Sequence, residues 1–464
     1  MRWFPLLVLL FLGISVRSQP VILQGTGEGY AGQLLRLTLP GNPVIDRPDY
    51  RDTVRCDARG VFRFELVVAE GRMVEIEAGV YIATLFVEPG RTYEVQLPPF
   101  REKGYEDYIS PYFQALRIPL QPGEPGEVNP QIFQFDSLYA IQNDLVIMSR
   151  RLNRDYPLDS AIRNLEEGFR NDTTPFFRDY RRYKYGVLKI NEGRTGLEEI
   201  SRTYLGEEVN EKHPAFMELF GSMYKDFLFY YARQNEGGAS LQHHLRRTLN
   251  LDSIRAGICS HPSVQSRQMA DLILLQELAS AFYTGEYHKE TILSLLDSLA
   301  AYPQKDRFGS YASELRQYLA QLLVGHRPPA LIPSGSADSL SILDRWKGKY
   351  VYLMFCTPDH YGCMMEYPYL QSFVRKHNAY LEVVTVMVAR NRSELPGFMD
   401  RNQYEWPVYF YQDFPDVLSL YRVRAFPTAF LIDREGNLLQ SPAILPSDGF
   451  EQHLFRIMRS RGEI

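Results

Sequence analysis

The chain has 464 residues, room for about three domains at roughly 100–200 residues each, and 45% of them are apolar, enough for a core in every one. A formal net charge of −5 gives no electrostatic ground for a nucleic-acid or anionic-membrane partner. Four cysteines are too few to staple a fold of this size, so each domain must rest on its own apolar core.

The first residues have the pattern of an export signal. Arg2 supplies a positive charge, Phe4 to Ile14 form a short apolar run, and Ser15-Val16-Arg17-Ser18 offers small residues before Gln19. The run is shorter than the ~20 residues of a spanning helix. Residues 1–18 are therefore expected to be removed. The mature chain is expected in the periplasm or cell envelope, with no transmembrane segment, where disulfides persist.

Residues 19–118 are expected to form an all-β sandwich. Leu35, Leu37 and Leu39 alternate with polar residues, as do Val61 to Leu66 and Val74 to Ile76. Turns at Pro40-Gly-Asn-Pro43, Ala58-Arg-Gly60 and Glu88-Pro-Gly90 separate them. Prolines and glycines from Pro119 to Pro130 mark a linker, 119–130. An all-α bundle is expected over 131–326. One apolar stripe runs through Phe135, Leu138, Ile141, Leu145, Met148 and Leu152. Another runs through Phe216, Leu219, Phe220, Met223, Phe227 and Tyr230, and further helices are expected at 263–283, 287–300 and 308–324. Arg327-Pro-Pro329 and Pro333-Ser-Gly-Ser336 mark the last boundary. Residues 327–464 then alternate strands (350–356, 381–389, 428–433, 438–441) with helices (363–377, 450–459), an α/β pattern.

The chemistry-bearing stretch is Phe355-Cys-Thr-Pro-Asp-His-Tyr-Gly-Cys-Met-Met-Glu-Tyr-Pro368, followed downstream by Tyr421-Arg-Val-Arg-Ala-Phe-Pro-Thr-Ala-Phe-Leu-Ile-Asp433. Over 327–464 these motifs resemble the TlpA-like thioredoxin family of exported thiol–disulfide proteins. The family's second active-site cysteine matches Cys363, its glutamate Glu366 and its following proline Pro368. The first cysteine matches His360. The resemblance implies a thioredoxin-like α/β fold, a cis peptide at Pro427 facing the site, and a loop of Phe426, Pro427 and Thr428 that receives an extended peptide.

His360 alters the expected activity. Disulfide exchange needs one thiolate to attack and a second thiol to resolve the mixed disulfide. Imidazole forms no disulfide, so the site His360, Cys363, Glu366 is degenerate. Cys363 is open to four roles: a buried packing residue, a thiol activated by His360 three positions away, a disulfide partner of Cys356, or a metal ligand with His360 and Glu366. A peroxiredoxin motif fails, because His360 and Cys356 stand where it requires Thr and Pro. No metal or other cofactor is expected. The favoured function is binding of a protein or peptide partner in the cell envelope, not nucleic acid. The alternatives are a thiol–disulfide oxidoreductase working through Cys363 alone or a Cys356/Cys363 pair, and an architectural envelope component.

Overall fold

Alternation of buried and exposed residues builds the N-terminal strands. Among the described residues, β1 (Val21–Gly27), β4 (Val61–Leu66) and β7 (Thr92–Leu97) form one sheet in the order β4-β1-β7. The other sheet has the order β3-β2-β5-β6-β8, from β2 (Leu34–Asn42), β3 (Arg47–Arg55), β5 (Arg72–Ala78), β6 (Tyr81–Val87) and β8 (Leu116–Pro119). Inward side chains of both sheets, with Leu35, Leu37 and Leu39 among them, join one apolar core that also holds Cys56. Alternation with period two places every second side chain on one face, which is why these residues can share a core.

The computed structural model describes residues 20–464 save 46, 105, 108–109, 111–112, 123–126, 173, 235, 303–306, 334–339 and 415. The expected signal at 1–18 and parts of both boundary segments lie outside the described residues. The chain divides into two compact units. The first takes residues up to Arg101, Leu116–Tyr230 and Ile258–Ala270; the second takes Glu102–Ala115, Tyr231–Gly257 and Asp271–Ile464. The helical stretch thus contributes to both. No helix of the described residues is long and apolar enough to cross a membrane.

In the first unit, helix α1 (Asn129–Arg151) is fastened to β6 by its first side chain. Asn129 accepts from the Phe86 amide at 2.8 Å and donates to the Phe86 carbonyl at 2.9 Å, as a neighbouring strand would. The structure corrects the stripe expected on this helix. Of it, only Phe135 is buried, and the buried face is Ile132, Phe135, Tyr139 and Val146. Leu138, Ile141, Leu145, Met148 and Leu152 are between 40% and 59% exposed. Phe135 is ringed instead by Phe169, Phe177, Tyr180 and Tyr185. The second stripe is buried from Phe216 to Phe227, but Tyr230 is exposed, and Asp226 in the left-handed region (φ 55°) breaks the helix in two.

The second unit ends in a five-stranded sheet of order β11-β10-β9-β12-β13. At its centre β9 (Tyr350–Cys356) is buried at all seven residues. It runs parallel to β10 (Leu381–Met387) and antiparallel to β12 (Thr428–Ile432). At the edges β11 (Val408–Phe410) is parallel to β10, and β13 (Leu438–Gln440) is antiparallel to β12. A strand buried on both faces has to be continuously apolar, and Tyr-Val-Tyr-Leu-Met-Phe-Cys is. Helix α2 (Tyr361–His377) follows β9, and α3 (Phe450–Ser460) closes the chain. This order and these directions are the thioredoxin-like arrangement expected for 327–464, and they set the end of β9 against the start of α2.

Candidate functional site

The site is the turn from β9 into α2. Thr357 follows the strand and ties the turn together. Its hydroxyl accepts from the His360 amide at 3.2 Å, its amide donates to Cys363 Sγ at 3.3 Å, and its carbonyl accepts from the Tyr367 hydroxyl at 2.5 Å. The buried face of α2 carries Cys363, Glu366, Tyr367, Leu370 and Phe373, spaced as one helical face requires.

His360 is the residue before the first helical turn, with extended backbone (φ −77°, ψ 127°), and its side chain makes no capping hydrogen bond. The imidazole is exposed and makes no hydrogen bond among the described residues. Histidine and cysteine three apart on a helix surface are neighbours. Here one is a cap, and the structure does not join them.

Cys363 is fully buried, and so is Cys356 at the end of β9. Neither is disulfide-bonded. The two thiols are partners. The Cys356 thiol and then the Thr357 amide stabilise charge on Cys363 and hold its pKa below that of an ordinary thiol. Burial, reinforced by Cys363, pushes Cys356 well up. Thus Cys363 is the one that ionises first, although it has no path to solvent in this conformation. Burial also drives the pKa of Tyr367 upward, so its hydroxyl remains a donor.

Glu366 lies on the buried face of α2. Its buried carboxylate accepts from the Ser447 amide at 2.9 Å and the Ser447 hydroxyl at 2.6 Å, fastening α2 to the loop before α3. The Phe426–Pro427 peptide is cis. A Cβ at Gly362 would stand 3.2 Å from Pro427 Cδ and 3.3 Å from the His360 ring, so Gly362 lies between these two groups. Phe426 packs against the core, and Thr428 pairs with Phe355 in the sheet while its hydroxyl donates to the Ala425 carbonyl at 2.6 Å. Thr428 is therefore the first residue of β12, and its strand pairing is with β9 on one edge. No group of three or more candidate metal ligands occurs among the described residues.

Thr357, Tyr367 and Ser447 carry most of the site's hydrogen bonds and were not singled out in the sequence. Nor were the side chains that α2 turns to solvent. Tyr361 is 73% exposed, and Met364, Met365 and Tyr369 are between 45% and 49% exposed. Their spacing of three, four and eight residues from Tyr361 was the available signal.

No protein-family model matches the chain, and no curated protein matches it. Solved structures do. A thiol:disulfide interchange protein of Bacteroides sp. is 25% identical over 29% of this chain and 89% of its own, with a TM-score of 0.25. A Chlorobium tepidum protein described as a candidate thiol:disulfide interchange protein DsbE is 26% identical over 29% of this chain and 96% of its own, TM-score 0.25. An exposed lipoprotein thioredoxin of Streptococcus pneumoniae is 26% identical over 25% of this chain and 89% of its own, TM-score 0.22.

Proposed function

We propose that this chain is an exported, TlpA-like envelope protein whose degenerate His360-x-x-Cys363 site docks an extended apolar segment of a protein partner. In this account residues 1–18 are the export signal and the two-sheet N-terminal region is a β-sandwich. One observation carries the account: α2 begins at an exposed imidazole and presents Tyr361, Met364, Met365 and Tyr369 to water, while both sulfurs lie fully buried beneath it. Large apolar side chains grouped on one exposed helix face are a docking feature. Methionine adapts to varied partners, and tyrosine offers a large contact with one polar end. Beside them, the backbone before Thr428 and the ring of Pro427 form the second wall. A peptide lying there would pair its main chain with this loop and set alternate side chains on the Met and Tyr surface.

The test is fluorescence anisotropy with a labelled insulin B chain whose cysteines are alkylated, so that no disulfide chemistry can contribute. Tyr361→Asp combined with Met364→Asp is expected to weaken binding by about tenfold or more, the scale of a lost interface anchor. Equal affinity of the two proteins would refute docking on this face.

The contact between Cys356 and Cys363 favours a second account, a thiol couple. Cys363 would attack a low-molecular-weight disulfide, releasing one thiol. Cys356 would then displace the other, leaving a Cys356–Cys363 bond. No Lys or Arg lies between Lys349 and Arg375, so both cysteines fall in one tryptic peptide. Incubation with glutathione disulfide would make that peptide lighter by two hydrogens if this account holds. Two alkylatable thiols at every time point would exclude it.

A further inference from the structure

The exposed stripe of α1 lies in the first unit, whereas the docking surface proposed above lies on α2, in the second. Leu138, Ile141, Leu145, Met148 and Leu152 succeed one another at spacings of three, four, three and four residues. That is the spacing of positions a and d of a heptad, the seam along which one helix packs on another. Within its own unit this helix already has a packing face, formed by Ile132, Phe135, Tyr139 and Val146. The stripe is a second face, and it is the one with the more regular heptad.

Its flank indicates what covers it. With Leu138, Leu145 and Leu152 at a, and Ile141 and Met148 at d, the two charged residues Asp144 and Arg151 both fall at g. Both are exposed, and neither side chain has an ion pair or hydrogen bond among the described residues. Were two copies of the helix parallel, g would face e of the partner, bringing Asp144 to the partner's Ser149. Antiparallel packing brings g to g. Aligning Leu145 with the partner's Met148, and Ile141 with the partner's Leu152, sets Asp144 beside the partner's Arg151. By symmetry the same pair forms twice, as a two-fold interface requires. One register thus pairs Ile141, Leu145, Met148 and Leu152 and neutralises both unpartnered charges.

We infer that α1 is a dimerisation helix, packing antiparallel on α1 of a second copy through Ile141, Leu145, Met148 and Leu152, with Asp144 and Arg151 selecting the register. Sedimentation equilibrium of the full chain tests this. The wild type is expected to be a dimer, and Leu145→Asp a monomer throughout the micromolar range with unchanged far-UV circular dichroism. Asp144→Arg sets like charges together and is expected to raise the dissociation constant by roughly tenfold. Adding Arg151→Asp to it exchanges the two charges and is expected to restore wild-type affinity. A monomeric wild type, a dimer indifferent to Leu145→Asp, or a double exchange no tighter than Asp144→Arg would each overturn the inference.

Discussion

Two helices, one in each unit, hold large apolar side chains in water, and they do so differently. On α1 the stripe is regular and aliphatic, with charges on its flank. On α2 it is short, made of Tyr and Met, interrupted by Pro368, and begins where a reactive cysteine would stand in a thioredoxin-type site. A regular aliphatic seam fits one regular partner in one register. An adaptable Met and Tyr surface beside an irregular loop fits many extended chains. On the two proposals above, one face would serve self-association and the other a partner protein.

The comparison breaks first if the faces are misassigned, and stability tests that most strongly. Phe135→Ala on α1 is expected to cost about 3–5 kcal/mol and Leu370→Ala on α2 about 2–5 kcal/mol, read by denaturant unfolding of each variant. Losses under ~1 kcal/mol would mean these faces are not the buried ones.

Acid sharpens the contrast between the units. In the first, His213 is buried against Phe176 and its pKa falls to about 4, because burial disfavours the imidazolium. An unfolded histidine titrates near ~6.5. The folded pKa is the lower one, so this stabilisation is complete above pH 6.5 and disappears as the pH falls toward 4. It amounts to on the order of 3 kcal/mol. Unfolding followed between pH 7 and 4 should show that loss, and His213→Phe should flatten it. An unchanged slope in His213→Phe would place the acid sensitivity elsewhere.

Smaller effects separate frame from surface on α2 itself. Ser447→Ala removes one of two hydrogen bonds to a buried carboxylate and is expected to cost about 1–3 kcal/mol. Tyr361→Asp and Met364→Asp should each change stability by less than ~0.5 kcal/mol while peptide affinity drops. A large stability loss at Tyr361 would show that it supports the fold and is not a free contact.

Much of this was legible in the chain. Alternation at Leu35, Leu37 and Leu39 identified inward positions, and the spacing of Cys363, Glu366 and Pro427 identified the frame around the turn. Periodicity identified the helix at α1 but not which of its faces packs inside, for a physical reason. A three-four repeat shows that a helix has an apolar face, but an internal core and a second copy call for the same repeat. Of the four roles open to Cys363, the contact with His360 depended on torsions that spacing alone does not give, and His360 stands as a cap with extended backbone. Thr357 and Ser447 were illegible because their roles depend on chain segments brought together only by the sheet and the closing helix.

The most direct measurement of docking without turnover is insulin reduction by dithiothreitol, followed as turbidity, with wild type and Cys363→Ala side by side. The account predicts that neither protein accelerates the reaction beyond the rate without added protein. A wild-type acceleration that vanishes in Cys363→Ala would contradict it.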